Sequence, residues 1–156
     1  MNLRYGTKED VLKIRDELKG LWLMHVDNEP KFINKDIICK SDLKDYFKDC
    51  FNGSGKAHLL IAEIDNNIAG FTKVKIDQLQ NFFNQDKVLY VDDIYTIKNF
   101  RNKGVSSFLL KQAAKLAKDK DIKWLKARIY SFNKPAQAAF LSAGYKNLYS
   151  EYFKII

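Results

Sequence analysis

The chain is short of the residues that hold small stapled or metal-bound proteins together. Its 156 residues include two cysteines, two histidines and two prolines. Cys39 and Cys50 cannot make a disulfide framework, and the expected setting is a reducing cytoplasm. His25, His58, Cys39 and Cys50 lack the spacing of metal ligands, so no metal is expected. No apolar run approaches the ~20 residues that a membrane helix needs, and Met1-Asn2-Leu3-Arg4-Tyr5 lacks the apolar stretch of a signal peptide. No repeat, low-complexity tract or Pro/Gly-rich linker divides the sequence, which reads as a single domain over residues 1–156. The phosphate-loop spacing Gly-x-x-x-x-Gly-Lys-Ser/Thr is missing, and so is the dinucleotide fingerprint Gly-x-Gly-x-x-Gly.

What remains is a core-forming chain with uneven charge. Apolar types make up 46% and aromatics 13% of the residues, which excludes disorder. The formal net charge is +8. Most of the excess is local, because Lys98 to Lys126 holds nine basic residues and two acidic ones. Such a field points to an anionic ligand: nucleic acid, a membrane surface or a phosphorylated cofactor. A solvated helix face accounts for part of it.

Residues Leu3 to Tyr5 read as a short strand. Thr7-Lys8-Glu9-Asp10 matches a capping box, after which Val11, Ile14, Leu18, Leu21 and Trp22 recur at helical spacing. Ser41 is read as the cap of a second helix, with Leu43, Tyr46, Phe47, Cys50 and Phe51 on its buried stripe. Ala57 to Ile64 and Ile68 to Ile76 flank Asp65-Asn66-Asn67, a hairpin turn because Asn tolerates positive φ. Lys87 to Ile97 is another strand, and Gly104 to Lys118 an amphipathic helix with lysines outward. Trp124 to Tyr130 is a strand, Pro135 to Ser142 a helix opened by proline and closed before Gly144, and Tyr145 to Ile155 a last strand. The order β-α-α-β-β-β-α-β-α-β predicts a mixed α/β fold with a mostly antiparallel central sheet and flanking helices.

The most informative stretch runs from Tyr90 to Ser107, where a strand enters a basic loop that opens a helix. The first N–H groups of a helix have no internal partner and carry the positive end of its dipole. Gly104 lets an anion approach them, Arg101 and Lys103 add charge, and Ser106 and Ser107 add hydroxyls. The set suits a pyrophosphate, and equally an ordinary capped helix with a basic loop.

Phe100-Arg101-Asn102-Lys103-Gly104-Val105-Ser106 resembles the acetyl-coenzyme A loop, Arg/Gln-x-x-Gly-x-Gly/Ala, of the GNAT acyltransferase superfamily. Asn133-Lys134-Pro135-Ala136 and Phe140-Leu141-Ser142-Ala143-Gly144-Tyr145 resemble its Asn-x-x-Ala…Tyr-x-x-x-Gly-Phe segment, and the hairpin leading to Ile68-Ala69-Gly70-Phe71 resembles its central hairpin. The resemblance implies two neighbouring strands splayed at a bulge near Ile94 to Thr96. The pantetheine arm of acetyl-CoA would lie in the gap along Ile94, Tyr95 and Thr96, paired with backbone groups of Ile94 and Thr96. Amides of Asn102, Lys103, Gly104, Val105, Ser106 and Ser107 would hold the pyrophosphate, with Arg101 beside them. Asn133 would meet the pantetheine, or serve only as the N-cap of the Pro135 helix. Ser106 departs from the usual Gly or Ala. The resemblance also implies a homodimer.

Direct transfer to an amine needs a base that takes a proton from an ammonium. Asp92 and Asp93 are the candidates, as base or as attraction for the amine. In a regular strand they would face opposite sides, so one shared pocket requires a bulge. One exposed and one ion-paired aspartate is the structural alternative. Tyr-Val-Asp-Asp-Ile-Tyr (90–95) is similar to the Tyr-Leu-Glu-Asp-Phe-Phe segment of diamine (spermidine/spermine) N-acetyltransferases, which implies a diamine or polyamine acceptor and puts Asp92 in the place of the base. Phe140 stands where the family has its general-acid tyrosine and cannot donate a proton, leaving Tyr130, Tyr95, Ser142 or no acid at all. The acceptor side would involve Leu21 to Phe32. There Trp22 and Met24 read as core, His25 as a structural hydrogen bonder, and Asp27 and Glu29 as solvated or cation-facing. The expected activity is N-acetylation of a small-molecule primary amine, without membrane association. A GNAT-like acetyl-CoA binder with weak or lost catalysis is one alternative. A basic nucleic-acid-binding module is another, though no RNP aromatic pair or zinc knuckle supports it.

Overall fold

The computed structural model describes residues 1–154. Strand β1 (Asn2–Tyr5) leads into helix α1 (Lys8–Asn28) through the expected capping box. The Asp10 N–H donates to Thr7 Oγ1 at 3.3 Å, and the Thr7 N–H donates to Asp10 Oδ2 at 2.8 Å. Asp10 is buried, and Arg4 satisfies both of its oxygens at 2.6 and 3.0 Å. This bidentate pair ties β1 to the first turn of α1. The helix runs past Trp22, through residues expected to be a connection.

A short helix, α2 (Lys35–Lys40), was not anticipated. Asn34 caps it, accepting from the N–H groups of Asp36 and Ile37 at 3.0 and 3.2 Å. Ser41 therefore ends α2 instead of opening the next helix, α3 (Lys44–Phe51). Its hydroxyl accepts from the Leu43 N–H, and Leu43 turns the chain with φ of 65°.

Strands β2 (Ala57–Ile64) and β3 (Asn67–Gln78) form the hairpin, with Asp65 and Asn66 both at positive φ. That geometry suits the right-handed twist of the strands. Strand β4 (Lys87–Thr96), a short 3-10 turn at Lys98–Phe100, helix α4 (Val105–Asp119), strand β5 (Leu125–Ala127) and helix α5 (Lys134–Ser142) complete the described elements. The five strands lie in sequence order in one sheet, antiparallel throughout except for β4 beside β5. The expected mixed α/β architecture with a mostly antiparallel sheet is the observed one.

Each face of the sheet has its own core. Val11, Ile14 and Leu18 of α1 and Phe47 of α3 cover one face with Leu59, Ile61 and Phe71. Leu109, Ala113 and Leu116 of α4 and Phe140 of α5 cover the other with Leu60, Val74 and Leu89. Gly70 lets β3, β4 and α4 meet closely: a Cβ there would lie 2.6 Å from both Tyr95 O and Val105 Cγ1. Among the described residues no helix is long and apolar enough to cross a membrane.

Two expected strands differ from the structure for one reason. β5 spans three residues instead of Trp124 to Tyr130, because it pairs with β4 only at Leu89–Val91 and the two strands part beyond that point. No last strand forms over residues 145–154, where Leu148, Tyr149, Tyr152 and Phe153 are exposed. Three paired residues of β5 offer too little ladder for an alternating segment to join. Ile155, the end of that expected strand, lies outside the described residues.

Candidate active site

The site grows from an irregularity in β4. Lys73 of β3 faces Asp93 while Val74 faces Val91, so Asp92 is an extra residue and forms a β-bulge. It lies two residues before the expected position near Ile94. A bulge shifts the alternation of side chains by one. Asp92 and Asp93 therefore lie together on the α1/α3 face, along with Lys73 and Lys75, instead of on opposite faces.

The same shift governs the backbone. Before the bulge, the Leu89 N–H donates toward β5, to Trp124 O at 3.0 Å. After it, the Ile97 N–H donates toward β3, to Ala69 O at 3.0 Å. By alternation, the backbone groups of Ile94 and Thr96 face the gap that opens where β5 leaves β4.

At the end of this gap stands α4. Asn102 and Gly104 take positive φ, 61° and 76°, and Gly104 is the N-cap with no side chain closing the helix. The first N–H of the turn with a protein acceptor is that of Phe108, on Gly104 O at 2.9 Å. Among the described residues, none accepts from the six N–H groups of residues 102–107. The direction a Gly104 Cβ would take is open space. Residues 101–104 and Ser107 are exposed, and Val105 is buried as the helix's first anchor. The Ser106 hydroxyl bonds the Thr96 hydroxyl at 2.8 Å, joining the strand end to the helix start. Arg101 donates to the Tyr95 hydroxyl at 3.3 Å.

The carboxylates are held by different partners. Asp92 Oδ2 pairs with Lys73 Nζ at 3.2 Å and Oδ1 with Lys75 Nζ at 3.7 Å. Asp93 Oδ2 accepts from the Trp22 indole at 3.3 Å and from the Tyr46 hydroxyl. Enclosure by protein pushes the Asp93 carboxyl up from its ordinary value to about 6, against the pull of the Tyr46 hydrogen bond. Burial, together with the two carboxylates, drives the Tyr46 phenol far above its usual range, so it remains a donor. Lys73 is itself buried, donates to Tyr46 O at 2.7 Å and lies 3.5 Å over the Tyr46 ring. Its long side chain is thus accommodated by an ion pair, a carbonyl and a cation–π contact together.

Trp22, Tyr46, Lys73 and Lys75 were not singled out as site residues. Trp22 and Tyr46 were read as core, since an aromatic on a buried stripe does not announce what its polar atom meets. The lysines did leave a signal: two cations at alternate positions of an apolar strand, matching two aspartates in the next.

Other expected residues are dispersed. Asn133 Oδ1 accepts from the Ala136 N–H at 3.2 Å and caps α5. Phe140 is buried with its ring edge-on to Tyr145, centroids 4.8 Å apart. Ser142 is exposed at the end of α5. Tyr130 clusters with His25 and Phe132, its ring centroid 4.7 Å from the first and 5.3 Å from the second, and those two lie 5.7 Å apart. Just beyond His25, Glu29, Pro30, Lys31, Phe32 and Phe153 line an open cavity of about 430 Å³. Among the described residues no three His, Cys, Asp or Glu side chains come together as a metal cluster.

A family model described as Acetyltransferase (GNAT) family matches residues 21–145. No curated protein sequence matches the chain. Solved structures do. A tetramutant of the BH1408 protein from Bacillus halodurans superposes with a TM-score of 0.83 at 17% identity, covering 100% of both chains. A predicted acetyltransferase from Clostridium acetobutylicum, determined with acetyl-CoA, gives 0.72 at 18% identity over 99% of this chain and 95% of that one. The aminoglycoside N-acetyltransferase AAC(6')-Iy in complex with CoA gives 0.75 at 18% identity over 99% and 93%. At these identities the likeness is one of fold.

Proposed function

Because the chain belongs to the GNAT acetyltransferase family, we propose that it transfers the acetyl group of acetyl-CoA directly to a primary amine of a small molecule. The observation that carries this reading is the run of N–H groups from Asn102 to Ser107 without acceptors among the described residues, at the mouth of the β4–β5 gap. A diphosphate needs such a cradle: converging donors at a positive helix end, with no side chain in the way at Gly104. Arg101 and Lys103 add charge beside it. Ile94 and Thr96 offer the backbone edge that an extended amide-bearing arm pairs with, Tyr95 lies between them, and the side-chain NH2 of Asn133, which has no acceptor among the described residues, is assigned to the same arm.

Asp93 then takes the amine's proton. Of the four carboxylate oxygens at the bulge, its Oδ1 is the one without a partner among the described residues, whereas both Asp92 oxygens face lysines. Raised toward neutrality, the carboxylate is a stronger base than an ordinary aspartate. The amine nitrogen bonds to the acetyl carbon, the carbon–sulfur bond breaks, and the ammonium proton passes to Asp93 and on to solvent. A thiol titrates near pH ~8.5, so its thiolate leaves at neutral pH without an obligatory acid. That fits a chain with Phe140 in place of tyrosine.

The acceptor's remainder extends toward the cavity at Glu29 to Phe32. Lys73 and Lys75 neutralise the aspartates' charge, so the attraction that a polyamine would need is weak here. Monoamines and aminoglycosides stand beside diamines as acceptors. The enzyme acts as one domain spanning residues 1–156. Cys39 and Cys50 stay free in this structure, in keeping with the cytoplasm. Assembly as a homodimer rests on analogy with the family and is read by light scattering.

One observation favours a second reading, an acetyl-CoA binder without turnover: Phe140 lies buried where a proton donor is expected. An acceptor screen detecting released coenzyme A thiol, with acetyl-CoA binding followed by calorimetry, separates the two. Saturable binding with amine-dependent thiol release supports the enzyme. Binding with no release from any amine supports the second reading, and no binding removes both.

A further inference from the structure

The bulge of β4 is braced from three elements, and the bracing is asymmetric. α1 supplies the Trp22 N–H and α3 the Tyr46 O–H, and both meet the same oxygen, Asp93 Oδ2. β3 supplies Lys73, which holds Asp92 Oδ2 and reaches back to the Tyr46 carbonyl and ring. Trp22 and Tyr46 also pack edge to face, centroids 4.8 Å apart. From behind, the Thr72 hydroxyl donates to the Asp93 carbonyl at 2.8 Å. Two donors on one oxygen fix the plane of a carboxylate and leave the other oxygen with a defined direction.

We infer that Tyr46, Trp22 and Lys73 are positioning residues of the acetyl-transfer site, holding Asp93 so that Oδ1 alone is presented to the acceptor amine while Asp92 is kept engaged by the lysines. The inference rests on the reading of Asp93 as proton acceptor. It goes beyond packing because phenylalanine would fill the Tyr46 site and an apolar side chain the Lys73 site at lower desolvation cost. A chain that packs a part-buried carboxylate and phenol around a buried ammonium in one contact network carries a costly arrangement, which is characteristic of functional sites. The charged and titratable groups facing Asp93 are Tyr46 from α3, Lys73 from β3 and Asp92 on its own strand; α1 contributes the neutral Trp22.

The test compares Tyr46→Phe, Trp22→Phe and Lys73→Met with the unaltered enzyme in two independent measurements. One is the titration of Asp93 followed by carboxyl-carbon NMR. The other is the acidic limb of kcat/KM against pH with one amine from the screen. Each brace favours the ionised carboxylate, so its loss raises the Asp93 midpoint. For Tyr46→Phe the expected rise is about one unit. The rate limb is expected to move by the same amount while the KM for acetyl-CoA stays constant. An NMR midpoint unmoved in Tyr46→Phe and Trp22→Phe overturns the positioning role, and a fall in thermal stability alone does not rescue it. A midpoint that moves while the rate limb does not shows the brace acting on a carboxylate that is not the base, which overturns the role in catalysis and the reading of Asp93 together. Should Lys73→Met fail to fold, the two aromatic variants decide the question.

Discussion

Replacing Asp93 with asparagine is expected to make the protein more stable and far less active. The carboxyl titrates near 6 in the fold against an ordinary value of 3.8. A group raised in the folded state favours folding while protonated and loses that contribution as pH rises through its folded pKa. Between pH 4 and pH 6 the unfolded chain releases this proton and the folded chain retains it, so the ionised aspartate weighs against folding at neutral pH. A rise of roughly two units is worth about 3 kcal/mol. Asparagine keeps an oxygen for Tyr46 and Trp22 but puts an NH2 group where Oδ1 was, and a poorly paired, part-buried donor takes back about 1 kcal/mol. The expected net gain is ~2 kcal/mol at pH 7 to 8, a rise of about 5 °C in Tm for a chain of this length. The gain should shrink below pH 6, cross zero between about pH 4 and 5, and turn into a loss of about 1 kcal/mol below pH ~3, where the carboxyl is protonated in both states. Turnover should fall by a factor on the order of 10² to 10⁴, as expected when a general base is lost. Urea and thermal melts at five pH values from 4 to 8, beside the thiol-release assay, measure both. Wild type equal to or more stable than Asp93→Asn at pH 7 to 8 refutes the reasoning, because the ionised carboxylate would then be favourably solvated where it stands.

Gly104→Glu puts a side chain and a negative charge into the open side of the anion cradle, at a residue with φ of 76°. Acetyl-CoA affinity by calorimetry should drop by more than about tenfold, while the strain of about 1 kcal/mol leaves the circular dichroism spectrum folded. Asp92→Asn leaves the buried Lys73 ammonium without its carboxylate, so urea melts should show a loss of ~3 kcal/mol and the rate assay a smaller fall than for Asp93→Asn. Asp10 is held at about 2, chiefly by the Arg4 hydrogen bonds. Its ionised form thus stabilises the fold above the ordinary value of 3.8, and the benefit disappears as pH falls through 2. Asp10→Asn should lose about 1.5 kcal/mol at pH 7 once solvent screening of the part-exposed Arg4 is allowed for, with melts of the two proteins converging near pH 2.

Much of the fold was written in local patterns. Thr7 and Asp10 cap α1 as their spacing requires, Asp65 and Asn66 take the positive φ of a tight hairpin, and α4 presents its lysines outward. Each depends on residues a few positions apart, which periodicity and capping can reach. The errors fell where the deciding partner is distant. Arg128 to Tyr130 and the described part of the last segment have strand-like composition, but a strand exists only if a neighbour pairs with it. The divergence of β4 and β5 removes that neighbour. α2 was missed because six residues carry too little periodicity, although Asn34 ahead of Asp36 was a visible cap.

At the site, the decisive fact is a parity. Alternation along β4 put Asp92 and Asp93 on opposite faces, and one inserted residue put them on the same face. The bulge has two effects on opposite edges of one strand. On the side-chain side it brings two carboxylates among Trp22, Tyr46, Lys73 and Lys75, where enclosure raises the pKa of one and lysines occupy the other. On the backbone side it turns Ile94 and Thr96 toward the gap that β5 leaves open, in line with the unpaired amides of α4. On the proposed function, a single register shift thus aligns the thioester path with the proton acceptor. Removing the extra residue would reverse both alternations at once, and no side-chain substitution elsewhere in β4 would do so.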